Sequence, residues 1–229
     1  MNRLTLDFKG LPYKTVWVEY PDIRRTCQEM NISPTGTWPD GTPMYTLPAL
    51  VDPSTGTALA DSAAIARYLD AAYPATSRAF PPGTEAFHAA FQAALDAALA
   101  PHVFYIGVPA GYERLSAVSR AHFKEARQRV LGGRMEDWNP VGSPERARNW
   151  AALEAGLGKV AAWMAADGKE RTFVMGDEPC YADFVIGARL MWLKRGFGEE
   201  SEDWRRIEGW HGGKWARFLA ALGKISDTA

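Results

Sequence analysis

Cysteine is nearly absent from this sequence: Cys27 and Cys180 are the two in 229 residues. That excludes a disulfide-stapled scaffold, and isolated thiols fit a reducing compartment, so a cytoplasmic location is expected. Histidine is scarce too, at four residues. His88, His102, His122 and His211 stand singly, none at ligand spacing from another or from a cysteine, so no metal site is expected. Neither sign of charge dominates: 26 Lys and Arg against 27 Asp and Glu give a formal net charge of −1. The chain therefore carries no electrostatic footprint for nucleic acid or an anionic membrane surface. Long apolar runs are missing. No stretch approaches the roughly 20 residues that cross a bilayer, and Met1 to Gly10 lacks the apolar region of a signal peptide. The sequence has no G-x-S-x-G elbow, no Walker loop and no G-x-G-x-x-G, so hydrolase and nucleotide-binding readings have nothing to stand on. His211-Gly212-Gly213 reads as a turn before a final helix rather than an oxyanion loop.

What is present is apolar and aromatic. Apolar residues make up 47% and aromatics 12%, with nine Trp, enough for a sizeable core. Two textures follow one another. The first 80 residues are short elements broken by Pro and Gly. Leu4, Leu6 and Phe8 fit a short helix stopped at Gly10-Leu11-Pro12. Tyr13 to Tyr20 is β-branched and aromatic and reads as a strand. Asp22 to Met30 reads as a helix opened by Pro21, and Ser33 to Pro43 as a loop. Tyr45 to Val51 reads as a strand with Pro48 in its middle, and Thr57 to Leu59 as a third. Asp61 to Ala72 is a helix, with Ile65, Leu69 and Ala72 on one face and Pro74 beyond its end.

Phe80-Pro81-Pro82-Gly83-Thr84 reads as a linker. Beyond it only helices are expected. Thr84 to Ala100 carries Phe87, Phe91, Leu95 and Leu99 at a spacing of four. Ser116 to Val130 is amphipathic and basic. Ser143 and Pro144 open a long helix. Cys180 to Lys194 is apolar nearly all round, as a buried central helix should be. A last helix is expected from about Gly212 to Leu222.

The stretch that carries chemistry is Tyr45-Thr46-Leu47-Pro48-Ala49-Leu50-Val51-Asp52 with Ala60-Asp61-Ser62-Ala63-Ala64-Ile65. A Pro inside a strand pattern points to a cis peptide at a constrained bend, which offers the N–H and C=O of Leu47 to an incoming peptide. Thirteen residues on, Asp61-Ser62 opens a helix, whose first N–H groups and dipole favour an anion, and Ser62 adds a hydroxyl. Either feature alone is an ordinary edge proline or helix cap. The pair suits the two ends of a small peptide with a free carboxylate.

In this respect the chain resembles the glutathione transferases: an α/β thioredoxin-like N-terminal domain, expected over residues 1–76, and an all-α helical-bundle C-terminal domain, expected over 84–229. The resemblance implies that Leu47 and Pro48 pair with the cysteinyl backbone of glutathione, and that Asp61 and Ser62 hold its γ-glutamyl end. Cys180-Tyr181-Ala182-Asp183 stands where the family has a Ser/Thr-x-x-Asp capping box, with Cys180 a weaker capping group than a hydroxyl. Lys9 to Ile23, Tyr68-Leu69-Asp70 with Tyr73-Pro74, Pro101-His102-Val103-Phe104 and the Arg-rich helix around Phe123 sharpen the resemblance. They make the chain similar to the fungal etherase-like transferases, a class related to bacterial β-etherases.

The resemblance implies a detoxifying enzyme. It would conjugate glutathione, as co-substrate, to aromatic electrophiles or cleave aryl ethers, and would act as a homodimer. The second substrate is expected between the domains, with Trp38, Phe104 and Tyr105 as aromatic walls. Family members begin with a strand and a loop that carries the catalytic Ser, Cys, Tyr or Asn, whereas Met1 to Leu6 aligns inside the helix that follows. No catalytic residue is therefore assigned, and Asn2 is not promoted to that role. A non-catalytic binder of aromatic metabolites and a dimerising scaffold of the same fold stand as alternatives.

Overall fold

The structure, a computed structural model, describes residues 1–226. Helix α1 (Asn2–Phe8) buries Leu4 and Leu6 and is followed by Gly10 at a positive φ of 63°. From Leu11 to Glu19 the backbone forms no regular element, so the strand expected over Tyr13–Tyr20 is not formed. A strand needs a neighbour to complete its hydrogen-bond ladder. Propensity alone does not supply one: Val16 and Trp17 are 71% and 78% exposed. A single 3₁₀ turn, Tyr20–Asp22, leads into α2 (Ile23–Glu29).

The expected loop at Ser33–Pro43 contains β1 (Gly36–Thr37), which pairs antiparallel with β2 (Pro43–Met44). The strand expected from Tyr45 begins only after Pro48, which has no N–H to give a ladder. It is β3 (Ala49–Asp52), and it forms a hairpin with β4 (Thr57–Ala60) in the register Ala49↔Ala60 to Asp52↔Thr57. Asp52 closes that hairpin and docks it onto α3 (Ser62–Ala72). Its carboxylate accepts from the Ser54 N–H at 2.9 Å, the Tyr68 hydroxyl at 2.5 Å and the Tyr73 hydroxyl at 2.6 Å. The two tyrosine hydroxyls hold the Asp52 carboxyl below the usual range.

Inside α3, Asp70 joins three segments. It accepts from the Lys9 ammonium at 2.8 Å and from the N–H groups of Ala79 and Phe80 at 3.0 and 2.8 Å. Lys9 also donates to the Ser77 carbonyl at 2.8 Å, so both charges of this buried pair are further hydrogen-bonded. The linker begins firmly as a result: Phe80 is buried and stacks on Tyr181 with ring centres 4.6 Å apart.

Only helices follow as long elements. α4 (Glu85–Tyr112) runs past the expected end at Ala100 and contains Pro101 and Pro109. Each proline removes one helical donor, but Leu95, Leu99, Val103 and Ile106 stay buried on one continuous face across the first of them. α4 is also long and apolar enough by length and composition to cross a bilayer, which the sequence expectation had excluded. In the fold it packs between α6 (Pro144–Met164) and α7 (Tyr181–Phe197). α5 (Ala117–Leu131) and α6 are capped by Ser116 and Ser143, whose side chains accept from the N–H of Ser119 and Arg146. α7 is buried along most of its length, as its composition required. α8 (Glu202–Ser226) is interrupted at Trp210–Gly213, where His211, Gly212 and Gly213 all have positive φ. The turn expected there is present, and helix lies on both sides of it.

The order is therefore mixed α/β, then all-α. One core joins the two parts: Leu4, Ala66, Ala79 and Phe80 pack with Leu95, Leu99, Trp150, Leu153, Phe184, Trp215 and Phe218. A polar joint adds to it. The Glu19 carboxylate accepts from the Ser116 hydroxyl at 2.6 Å and from the Ser119 hydroxyl, and Ser119 accepts from the Tyr20 N–H at 2.9 Å.

Candidate functional site

The β3–β4 hairpin builds the site. Ala49 faces Ala60 on its last rung, so Pro48 and Asp61 leave the hairpin at the same end. Residues directly opposite in such a ladder lie about 4.5–5.5 Å apart. Two anchors separated by thirteen residues in sequence are thus brought together by register alone. The Leu47–Pro48 peptide is cis. Leu47 is exposed, and its backbone N–H and C=O have no hydrogen-bond partner among the described residues.

Asp61 takes an unusual backbone conformation for a non-glycine residue, with φ 75° and ψ 124°. Its carboxylate accepts from the N–H of Ala63 at 3.0 Å and of Ala64 at 2.9 Å. This corrects one expectation: these helix N–H groups are not open to a ligand anion, because Asp61 itself occupies them. What remains at this helix start is the Ser62 N–H, which has no hydrogen-bond partner among the described residues, the Ser62 hydroxyl, and the Asp61 charge, suited to an ammonium group. That hydroxyl lies 3.2 Å from the Tyr181 hydroxyl at the start of α7, so the helical part of the chain contributes to the anchor.

Two clefts flank this end of the hairpin. The first, about 1100 Å³, is lined by Trp38, Leu47 and Pro48 and by residues 13–21. The second, about 560 Å³, is lined by Asp61, Ser62, Phe104, Tyr181, Arg189 and Trp192. Met1, Tyr20, Phe123 and Arg127 line both. Both volumes are of the size that takes small organic ligands. Phe104 is exposed in the second cleft, edge-on to Trp192 at 6.4 Å. Trp38 sits in the first. Tyr105 lines neither cleft: it packs edge-on to Trp138 at 6.1 Å, in a cluster with Val108 and Phe123. A step of about 100° around the helix separates it from Phe104. Of the three expected aromatic walls, two face clefts and one is packing.

Sequence reasoning passed over Tyr181, Arg127, Arg189 and Trp192. Tyr181 stands inside the capping box already recognised, which was the available signal. The other three lie on helices whose relative placement only tertiary packing decides. Arg189 is engaged: its guanidinium pairs with Asp96, which also accepts from Gln92.

The capping box forms as expected, and the Cys180 thiol takes a further part in it. The Asp183 carboxylate accepts from the Cys180 N–H at 2.9 Å, as the box requires, and from the Val174 N–H at 2.8 Å. The Cys180 thiol donates to the same carboxylate, with sulfur and oxygen 3.2 Å apart. Burial raises the Asp183 carboxyl to about 6, and burial with the Asp183 charge pushes the Cys180 thiol far up. A thiol held protonated in this way is no nucleophile.

Comparison with known proteins extends over nearly the whole chain. The family model of the glutathione S-transferase N-terminal domain matches residues 1–72, and that of the C-terminal domain matches residues 86–224. The chain is similar to the glutathione S-transferase CsGST63524 of Ceriporiopsis subvermispora, solved in complex with glutathione. The identity is 46%, over 97% of this chain and 88% of that one, with a TM-score of 0.94. Glutathione transferase GSTFuA3 of Phanerochaete chrysosporium is 39% identical, over 98% of this chain and 88% of that one, with a TM-score of 0.91. The glutathione S-transferase-like protein ustS of Aspergillus flavus is 27% identical, over 90% of this chain and 75% of its own length.

Proposed function

Since the chain belongs to the glutathione S-transferase family, we propose that it binds glutathione at the open end of the β3–β4 hairpin and conjugates it through its sulfur to aromatic electrophiles, displacing their leaving group, or cleaves aryl ethers. The register that sets Pro48 beside Asp61 carries this reading. The unpartnered backbone of Leu47 pairs with the cysteinyl main chain. The Asp61 carboxylate draws the γ-glutamyl ammonium, and the Ser62 hydroxyl donates to the adjacent carboxylate. Relatives solved with glutathione support the choice of peptide. The sulfur then lies towards the clefts, where Trp38 and Phe104 offer aromatic surface to a second substrate. A hydroxyl or amide donor that stabilises the thiolate completes the chemistry. Such an enzyme works as a homodimer in the cytoplasm, and light scattering at micromolar concentration tests the dimer.

Calorimetric titration of glutathione tests the site. Ser62→Ala removes a donor to a carboxylate and is expected to weaken binding by about 1–3 kcal/mol, with the thermal midpoint followed as a control for the lost Tyr181 contact. An unchanged affinity would place the peptide elsewhere. Detection of the conjugate by mass spectrometry, with a generic aromatic electrophile, tests turnover.

A further inference from the structure

Among the described residues, Arg127 is the one arginine or lysine that lines both clefts. It projects from α5, half-buried, with its guanidinium carbon 5.0 Å from the centre of the Phe123 ring. Its Nε is buried and has no hydrogen-bond partner. Among the described residues no carboxylate pairs with it. Of the other charges near it, Arg189 pairs with Asp96, Arg129 pairs with Asp40, and Glu19 accepts from Ser116 and Ser119. Arg114, which also faces the first cleft, donates to the carbonyls of Gly196 and Phe197.

A guanidinium cannot lose its proton to relieve this situation. Beside an aromatic face, it presents a planar fork that matches a carboxylate in two parallel hydrogen bonds. The surfaces on either side are aromatic: Tyr20 and Phe123 line both clefts, and Phe104 and Trp192 line the second. We infer that the second ligand is an aromatic acid. Its ring lies against Phe104, Phe123 and Trp192, and its carboxylate is taken by Arg127. The inference rests on the reading of the clefts given above and adds the ligand's charge.

The test compares 3-phenylpropanoate with 3-phenylpropanamide, which keeps the ring and chain and loses the charge. Both are titrated calorimetrically into the full chain at pH 7.5, with glutathione titrated in parallel. The acid is expected to bind at least tenfold more tightly than the amide. Arg127→Gln is expected to remove that preference while leaving the amide's affinity within twofold, and Arg127→Lys to restore part of it. A chain that binds glutathione but shows no preference for the acid would overturn the inference and leave the transferase reading intact. A chain that binds no glutathione would overturn the transferase reading. If Arg127→Gln instead weakens glutathione and leaves the acid untouched, the guanidinium serves the peptide and the inference fails. Should the variant not fold, the native chain decides: the acid's advantage must shrink as salt rises from 20 to 500 mM, and a salt-independent advantage would overturn it.

Discussion

Replacing Cys180 by Ser puts an oxygen where the sequence has sulfur, at a residue that is 1% exposed. A hydroxyl donates to the Asp183 carboxylate more strongly than a thiol does, and hydrogen bonds to a charged acceptor are among the stronger ones. Cys180→Ser is expected to stabilise the chain by about 1 kcal/mol, read as a higher urea midpoint with unchanged slope; a lower midpoint would show that the site prefers sulfur on packing grounds. The same carboxyl has a pH signature. Folding raises it from 3.8 to about 6. Between those values the folded state keeps a proton that the unfolded chain has lost, so this contribution falls as pH rises through that window and is level above it. His88 acts in the opposite sense. It is buried among Phe80, Phe87 and Tyr181, with neither ring nitrogen hydrogen-bonded, and burial lowers its affinity for a proton. The unfolded chain takes up that proton near 6.5, so stability declines as pH drops below that value. His88→Leu is expected to stabilise the chain by about 1–2 kcal/mol at pH 8, and by more at pH 5.5. Urea midpoints at the two pH values check both the sign and the growth. The role of Asp183 was legible because its spacing from Cys180 is a local rule. His88 was not, because an isolated histidine gives no hint of what will surround it.

Helix packing turns on small residues at a few crossings. At Gly156 in α6 an added Cβ would meet the carbonyl oxygen of Ala98 inside van der Waals distance, and the Leu99 Cδ2 at 2.8 Å. Backbone cannot swing aside as a side chain can. Gly156→Ala is expected to cost about 1–3 kcal/mol through separation of α6 from α4, although alanine is the better helix former. Thermal unfolding of the variant measures it, and a gain in stability would mean that the two helices part freely. Elements with their own internal signal were legible in the sequence: the spacing of four in α4, the Ser143-Pro144 start of α6, the apolar length of α7. Those that depend on a partner were not. Tyr13 to Tyr20 has the composition of a strand, yet it has no ladder partner among the described residues. Pro101 reads as a helix end, and α4 passes it because packing on both sides outweighs one lost hydrogen bond.

At the scale of the whole molecule, the mixed and the helical parts share one core and a polar joint at Glu19. They are expected to unfold as one. Far-ultraviolet circular dichroism, dominated by the helices, and fluorescence from a variant retaining only Trp17 and Trp38 should give coincident transitions in urea; an earlier fluorescence transition would reveal a first part that unfolds by itself. The architecture was legible as a change of texture near residue 80, and the anchors as two short motifs. Their neighbours were not, since Tyr181 and Arg127 reach the site from elements far away in sequence. The β3–β4 hairpin has a last consequence, for change of length. Pro48 and Asp61 flank the same rung because the two arms are equal, so the separation of thirteen residues is incidental. Residues added to the Pro53–Gly56 turn leave the anchors where they are, while one residue added to a single arm shifts the register and turns alternate side chains over. Insertions are accordingly expected to be tolerated at the turn and to abolish glutathione binding when placed between Pro48 and Val51.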